Sequence, residues 1–496
     1  MSFNTFIVIG FFLTLLPSLA FSQDQAGKAE AAKTKAYQII ESDKEKLAKM
    51  SDAIYSYSEP AFQEFNTVEL LVDRYRKAGF RVETGIAGMP TAFVGVWGSG
   101  RPVIALMADY DAQLTSSQKP GVVHYDPLVE GAPGHGEGHN ANPVVVYAAA
   151  LALKDVMEEF GWSGTIKAIG GPAEESIASR GFMVKAGVWD GVDVGMDAHI
   201  ARGASVKYGI NNLALVSVLF TFKGEAEEFP FRRRNALSAV ELFNIAMKYW
   251  GERLPRSSRT QHIVTGGGNS PNVSSPEAST WYYFREESAN AVMRLFAESK
   301  EVAEAVASIS GTQVESKIRS GTWPLNQNKA LTELTYKNMI AIGLPKWSED
   351  DHAFFRAFQK TFRAKQVGVN YKIDSRLDGP RIAASSDAGD VTWVIPSTRL
   401  GFPGQFFIEG GGPFGRMVLN HQWTQSVTTG TPVTHKGILF GAKVMAATFI
   451  DILSNPDHLE KIRTDFQTQT KGYTWTSLIP DDVKPPLDVN KVEMDK

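Results

Sequence analysis

The residues best suited to chemistry lie in a short glycine-rich stretch, GHGEGHN, at positions 134–140. It contains His135, Glu137 and His139, and imidazole nitrogens and carboxylate oxygens are common ligands of divalent metals. The intervening glycines let the backbone turn tightly and approach a ligand closely. The stretch therefore predicts a metal site, although two histidines four positions apart also occur without a metal.

Two further groups of ligand-type residues follow along the chain. Glu174 and Glu175 are adjacent, and Asp197 and His199 are separated by one alanine. Adjacent glutamates can divide two tasks, since one can bind a metal while its neighbour accepts a proton from the water that the metal activates. The alternative is an acidic pair at a helix N-terminus, which the helix dipole favours.

We interpret these groups as one centre for zinc, manganese or cobalt. The predicted metal ligands are Glu137, His139, Glu175, His199 and His421. Asp111 is predicted to accept a hydrogen bond from a ligand imidazole and so to orient it. His435 competes with His421 for the last ligand position; we favour His421 because it follows a glycine-rich segment, whereas His435 opens an apolar helix.

The elements that must position these residues alternate between strands and helices. Residues 103–108, 165–170 and 192–196 have the apolar character of buried strands, and residues 67–78 and 143–160 have helical periodicity. Such alternation predicts a layered α/β sheet. Each ligand-type group follows a predicted strand, where open α/β sheets usually have their sites.

The pattern changes near residue 209. Predicted strands at 213–222, 279–285 and 312–318 enclose predicted helices at 235–250 and 288–307. This order indicates a small α+β domain of ferredoxin-like type, serving as a lid or for dimerisation. The predicted division is a catalytic domain of 23–209 and 323–470, an inserted domain of 210–322, and an extended tail of 471–496.

Composition excludes several classes of protein. The chain has 496 residues, 43% of them hydrophobic, a formal net charge of −3 and no cysteine. Thiolate metal sites, cysteine nucleophiles and disulfides are therefore excluded. The net charge lacks the strongly positive balance that is typical of nucleic-acid-binding proteins.

The N-terminus has the character of an export signal. Residues 6–16 form an apolar run too short to span a bilayer, followed by Ala20-Phe21-Ser22 and polar residues. This predicts a signal peptide, residues 1–22, and an exported protein, periplasmic or secreted, with no membrane contact after cleavage. The alternative is an uncleaved anchor, because no Lys or Arg precedes the run.

Several motifs in order resemble one known family. They are VIALMADYDA at 103–112, the stretch at 134–140, residues 171–176, Asp197–His199, SPNV at 270–273 and AASSDAGDVTW at 383–393. From about Tyr55 to Leu453 the chain resembles the metal-dependent peptidase and amidohydrolase family of the aminoacylases and glutamate carboxypeptidase.

The resemblance implies roles for individual residues. It assigns the five predicted ligands to divalent metal, bound as two ions, with manganese or zinc as the cofactor. Glu174 becomes the general base, and Asp111 the carboxylate beside the metal. Asn272 and Arg285 would hold the substrate's carboxylate, often across the interface of a homodimer formed by the inserted domain. The implied substrate is an N-acyl or N-aroyl amino acid or a dipeptide, cleaved at the amide bond next to a C-terminal carboxylate.

Two positions depart from the family pattern. The nearest branch has cysteine where Glu137 stands, and a carboxylate there favours harder ions such as manganese. A catalytic histidine of the lid is replaced by Glu228, and an anion cannot stabilise an oxyanion. Arg232, Arg233 or Arg234 could substitute for it. These departures leave an alternative open, a non-catalytic ligand-binding protein on the same scaffold.

Overall fold

The computed structural model describes residues 16–224, 234–379, 381–409, 416–417 and 422–494. The strands are β1 (Arg81–Thr84), β2 (Phe93–Ser99), β3 (Val103–Asp109), β4 (Gly164–Gly171), β5 (Val194–Ala201), β6 (Gly209–Ile210), β7 (Ala214–Lys223), β8 (Arg259–Gly266), β9 (Glu277–Glu286), β10 (Gln313–Thr322), β11 (Asn326–Gln327), β12 (Ser397–Pro403), β13 (Ile408–Glu409) and β14 (Arg416–Met417). The helices are α1 (Leu16–Ser42), α2 (Lys44–Tyr57), α3 (Phe65–Lys77), α4 (Asn142–Phe160), α5 (Arg180–Lys185), α6 (Ala236–Gly251), α7 (Ala289–Ser310), α8 (Lys329–Ile342), α9 (Glu349–Thr361), α10 (Val391–Val394), α11 (Trp423–Thr429), α12 (Pro432–Ser454), α13 (Pro456–Gln469) and α14 (Lys491–Met494).

A six-stranded sheet forms the centre of the larger unit, in the order β1-β2-β4-β3-β5-β12. Strands β4, β3, β5 and β12 run parallel; β2 pairs antiparallel with β4, and the edge strand β1 pairs antiparallel with β2. Helices cover both faces, as parallel sheets require. One face packs against α1, α4 and α12, and the other against α5 and the residues around Trp189. The carboxyl ends of β3, β4 and β5 therefore meet at one edge.

The inserted unit is a four-stranded antiparallel sheet in the order β10-β7-β9-β8. Its chain order is strand, helix, strand, strand, helix, strand, as in ferredoxin-like folds. Along β9, Ala278, Thr280, Tyr282 and Phe284 are buried beneath α6 and α7. Because side chains alternate along a strand, Arg285 points to the other face, toward the larger unit. The predicted fold class, an α/β metallohydrolase fold with an inserted α+β domain, is confirmed.

The structure differs from the sequence-based expectation in several places. Apolar residues recur at helical spacing from Ala29 to Tyr57, but the structure has two helices there, separated at Asp43. Asp197 and His199 lie within β5, not beyond its end, because the strand continues to Ala201 beside β12. Strand β8 was not predicted, because its side chains are mostly exposed and give no apolar alternation.

Two segments near the C-terminus complete the larger unit. Among the described residues, α12 is the one helix long and apolar enough to cross a membrane, but 78% of its apolar window is buried inside the protein, as in a core helix. The chain after α13 has no regular structure from 470 to 490. It nevertheless buries Leu478, Ile479 and Val483 against the cores of both units.

Candidate metal centre

Three neighbouring strands bring the predicted site residues together. Asp111 follows β3, Glu174 and Glu175 follow β4, and His199 lies near the end of β5. Since β3 lies between β4 and β5, these residues meet at one edge of the sheet. The loop after β3 returns to the same edge and delivers the glycine-rich stretch just before α4.

The two imidazole rings of this edge face each other. The Nε2 atom of His139 lies 3.3 Å from the Nε2 atom of His199, and the ring planes are inclined by 84°. The Nδ1 atom of His139 lies 3.1 Å from Asp111 Oδ1, and the Nδ1 atom of His199 lies 2.7 Å from the Ile200 carbonyl. With a carboxylate and a carbonyl as acceptors for the Nδ1 protons, both Nε2 atoms are left as acceptors 3.3 Å apart, as in metal sites.

Two carboxylates complete the cluster. Glu175 Oε1 lies 3.8 Å from His139 Nδ1, and Glu137 Oε2 lies 3.8 Å from His199 Nε2. Ligand atoms of Glu137, His139 and Glu175 all lie within 4.8 Å of one another, and so do those of Asp109, His139 and His199. Glu175 Oε1 is buried without a hydrogen-bond donor in the described part of the chain. A buried acceptor without a donor, beside two imidazole acceptors, fits a cation.

The charges of the cluster also favour a bound cation. Burial raises the pKa of Glu175 well above its usual value, and the charge of Glu137 adds to the effect. Burial alone would lower the pKa of His139, but the hydrogen bond with Asp111 and the charge of Glu175 raise it well above its usual value. Burial lowers the pKa of His199 to about 4, with the charge of Arg399 as the next cause. The carboxylates thus repel one another in a buried site, and a divalent ion would offset that repulsion.

Glu174 stands beside the cluster rather than within it. It is 6% exposed and lines a cavity of about 1020 Å³ together with Glu137, Glu175 and His199. Burial raises the pKa of Glu174 to about 7, while the charge of His139 opposes the shift. A carboxyl group with that pKa can accept and return a proton near neutral pH.

A buried ion network supports the floor of the site. The guanidinium of Arg180 is fully buried and contacts Asp109, Asp197 and Asp387; its distances to Asp197 and Asp387 are 3.1 Å and 3.3 Å. Asp197 also accepts a hydrogen bond of 2.6 Å from Arg399 Nε. These two cations hold the pKa of Asp197 below its usual value against the effect of burial. Asp197 therefore holds arginines in place, while His199, two positions on, faces the other imidazole.

The predicted substrate-binding residues separate in the structure. Arg285 lines the cavity, and its Nε atom is buried without a hydrogen-bond partner in the described part of the chain. Asn272 is exposed in the loop between β8 and β9 and accepts a hydrogen bond of 2.5 Å from Ser270. The structure thus brings Arg285, but not Asn272, to the cleft of the same chain.

His421, Glu228, Arg232 and Arg233 fall outside the described residues, so the choice of last ligand stays a prediction. The alternative ligand, His435, has another partner: its Nε2 atom lies 2.7 Å from Oδ1 of Asp52, a residue of α2.

The first histidine of the glycine-rich stretch, His135, lies in the protein core. His135 is fully buried, its Nε2 lies 3.1 Å from the Ile54 carbonyl, and burial lowers its pKa to about 3. It is thus a core histidine rather than part of the cluster.

Sequence reasoning missed several contributors. Gln113 donates from Nε2 to Glu175 Oε2 at 3.0 Å, and Gln405 donates to the Glu137 carbonyl at 3.2 Å. Arg180 and Arg399 carry the buried network, and Glu64 accepts a hydrogen bond from the Ala173 backbone. None of them lies in a recognisable local pattern. The one available signal was position in a motif, since Gln113 directly follows the stretch at 103–112.

Comparison with known proteins agrees with this geometry. No protein-family model matches the chain. One of the subunits of p-aminobenzoyl-glutamate hydrolase from Escherichia coli is 30% identical over 477 residues, covering 90% of this chain and 97% of that protein. Xaa-Arg dipeptidase of Mus musculus is 26% identical over 459 residues, covering 89% and 94%. A Bacillus subtilis structure described as a dinuclear metal-binding peptidase of the M20 family superposes with a TM-score of 0.53 at 16% identity, covering 83% and 99%, and so shares the fold.

The fold and the cluster together define a metal-dependent hydrolase of amide or peptide bonds. The chain belongs to the metal-dependent peptidase and amidohydrolase family that includes p-aminobenzoyl-glutamate hydrolase. The resemblance described from the motifs is confirmed, and a divalent metal is supported as the cofactor. The alternative hypothesis of a non-catalytic binding protein is not supported, because the relatives are named as a hydrolase and a dipeptidase.

Proposed function

We propose that this chain is an exported amidohydrolase that cleaves the amide bond next to a C-terminal amino-acid carboxylate. Its substrate would be an N-acyl or N-aroyl amino acid, such as aminobenzoyl-glutamate, or a dipeptide. The observation that carries the proposal is the division of the adjacent glutamates: both line the cavity, but Glu175 belongs to a ligand group and lies 3.8 Å from His139, whereas Glu174 belongs to neither ligand group of the described residues.

The residues of the chain divide the work as follows. Glu137, His139, Glu175 and His199 would hold a divalent ion, which when bound would supply Lewis-acid activation of a water molecule and of the scissile carbonyl. Glu174 accepts the proton that the water loses as its oxygen bonds to the carbonyl carbon. Glu174 then returns that proton to the amide nitrogen as the C–N bond breaks, which releases a carboxylic acid and an amine. Asp111 keeps His139 in the orientation that presents Nε2.

The lining of the cleft supports an anionic substrate. Besides Arg285, the cavity is lined by five more basic side chains, which are Arg202, Lys207, Lys372, Arg376 and Arg399. Arg285 suits the carboxylate because a guanidinium can donate two parallel hydrogen bonds to it. The lid reaches the catalytic turn directly, since the Tyr283 hydroxyl donates to the Ser176 carbonyl at 3.3 Å.

The test is a hydrolysis screen on the purified protein after reconstitution with manganese or zinc. The panel contains aminobenzoyl-glutamate, N-acyl amino acids, dipeptides and their C-terminal carboxamides. Wild type should cleave acids in preference to carboxamides. Glu174→Gln should keep its metal and lose about 10²–10⁴-fold in kcat, the usual contribution of a general base. A metal-loaded wild type without turnover on the whole panel would refute the proposal.

We also propose two properties of the mature protein. Residues 1–22 would be a signal peptide, and intact mass measurement of the protein from the periplasm or medium should begin at Gln23. The lid would form a homodimer, since the edge strand β8 exposes Ile263 and Val264, and α6 beside it exposes Ile245 and Tyr249. Light scattering should give twice the monomer mass, and Ile263→Lys should reduce it.

A further inference from the structure

The turn that carries both glutamates has an unusual backbone. Ala173 and Ile177, on either side of Glu174–Ser176, have φ angles of 56° and 50°. Residues with a Cβ atom avoid this left-handed region, because the Cβ atom comes too close to the following carbonyl oxygen. Such strain persists only where surrounding contacts hold it, and it concentrates at functional sites. The turn therefore depends on the groups that bind its amides.

Two buried carboxyl groups bind alternate amides of this turn. Asp111 Oδ2 accepts from the Glu175 N–H at 2.9 Å, and Glu64 Oε1 accepts from the Ala173 N–H at 2.9 Å. Asp111 also orients the imidazole of His139, so it has two separate tasks. Glu64 is fully buried at the start of α3 and contacts the turn from an element far away in the sequence.

The protonation state of Glu64 suits it to accept the hydrogen bond from the Ala173 amide. Burial, with the charge of Asp111 as the second cause, raises the pKa of Glu64 to about 8. At pH 7 the group is therefore mostly a neutral acid, whose carbonyl oxygen accepts the amide proton without adding a negative charge beside Asp111. Glutamine has the same shape and the same carbonyl acceptor, so it is the natural conservative replacement.

We propose that Glu64 is a positioning residue that holds Ala173 in its left-handed conformation and thereby presents Glu174 and Glu175 to the metal and the substrate. The proposal rests on the proposed function, in which Glu174 is the base and Glu175 a ligand. Without the acceptor, the turn relaxes toward ordinary dihedral angles and moves both carboxylates. A displacement of about 1 Å can cost 10²-fold in rate, so kcat should fall while KM, set by the rest of the cleft, changes little.

The experiment compares three variants of Glu64 with a matched control. Glu64→Leu removes the acceptor, Glu64→Asp keeps a carboxyl with a shorter reach, and Glu64→Gln keeps the acceptor in place. The control is Glu59→Leu, because Glu59 is equally buried nearby but binds the backbone of Asn66 and Thr67 at 2.7 Å and 2.9 Å. The measurements are kcat, KM, thermal midpoint, and the Kd for manganese by calorimetry.

Glu64→Leu and Glu64→Asp should each lose about 10²-fold in kcat, with KM within about threefold of wild type. Their manganese Kd should rise about tenfold, because Glu175 is on the same turn. Glu64→Gln should stay within about threefold of wild type in both. Glu59→Leu should lower the thermal midpoint but leave kcat and Kd unchanged. If Glu64→Leu does not fold, the contrast between Glu64→Asp and Glu64→Gln decides the matter.

The proposal is overturned if folded Glu64→Asp and Glu64→Leu keep the kcat and manganese Kd of wild type. It is also overturned if Glu64→Gln is damaged as much as they are, or if Glu59→Leu matches them. An inactive wild type would refute the proposed function instead. In that case the manganese Kd still decides the role of Glu64, because it does not depend on turnover.

Discussion

The carboxylate of Asp111 joins His139 to the backbone of Glu175. One oxygen lies 3.1 Å from the Nδ1 atom of the imidazole, and the other accepts the Glu175 amide at 2.9 Å. A single buried group thus fixes the orientation of one predicted ligand and the backbone of another. The metal centre is therefore prepared by the fold before any ion arrives, and its properties can be tested residue by residue.

Glu137→Ala should lower the amount of bound metal. Glu137 contributes a carboxylate to one of the two ligand groups. The resemblance described in the sequence analysis implies a cysteine at this position in similar proteins. Wild type should hold about two equivalents of manganese or zinc by mass spectrometry, and the variant about one or fewer. Glu130→Ala, an exposed acid of the preceding loop, is the control. Equal metal content in wild type and Glu137→Ala would remove Glu137 from the ligand set.

Arg285→Ala should reduce kcat/KM for carboxylate substrates by about 10–100-fold, the usual effect of a lost hydrogen bond to a charged group. The guanidinium lines the cavity and has an Nε atom without a partner among the described residues. Carboxamide analogues lack the partner charge, so their kcat/KM should change less. A uniform loss for acids and carboxamides would mean that Arg285 acts on the structure of the cleft and not on the carboxylate.

Metal affinity should increase with pH. The pKa values of Glu175 and His139 are both raised well above their usual values, so a metal must displace protons from them up to a higher pH than from ordinary side chains. A bound metal displaces those protons, and each proton released makes the affinity rise about tenfold per pH unit. Calorimetry with manganese in buffers of different ionisation enthalpy measures the number released. An affinity independent of pH would show that the ligands are already deprotonated.

Arg180→Met should lower the free energy of unfolding by about 3–5 kcal/mol, the usual cost of removing one partner of a buried ion network. The substitution leaves the buried carboxylates of Asp109, Asp197 and Asp387 without their shared cation. Arg463→Met is the control, since that half-exposed side chain pairs with Asp193, which keeps Arg101 as a second partner, and its loss should cost under about 1 kcal/mol. Urea denaturation measures both, and equal losses would contradict the proposed importance of burial.

The ends of β3 and β4 were predictable because local sequence determines them. The apolar runs before Asp111 and Glu174 give buried strands, and adjacent parallel strands end at a common edge. The position of Glu175 at the site edge follows from that rule, whereas His139 comes from the loop after β3. His199 remained predictable even though its strand extends further than expected, because alternation along β5 still directs it to the site edge.

The supporting contacts were not predictable because they join distant positions. Glu64 binds the Ala173 amide across 109 positions, and Arg399 binds Asp197 across 202. A buried glutamate at the start of a helix has the same local sequence features as an ordinary helix cap. The distinction depends on which backbone it contacts, and that is a property of the packed structure.

The insertion of the lid between β5 and β12 has a consequence for biogenesis. The lid sheet is formed from one continuous stretch, so it can fold as soon as it leaves the ribosome, whereas β5 pairs with β12 only after Ser397 has been made. At ~5–20 residues per second, the hydrogen-bonding edge of β5 stays open for on the order of 10–40 s. An open strand edge is a site of aggregation. The edge of the strand that carries His199 is thus available to other chains until β12 has been made.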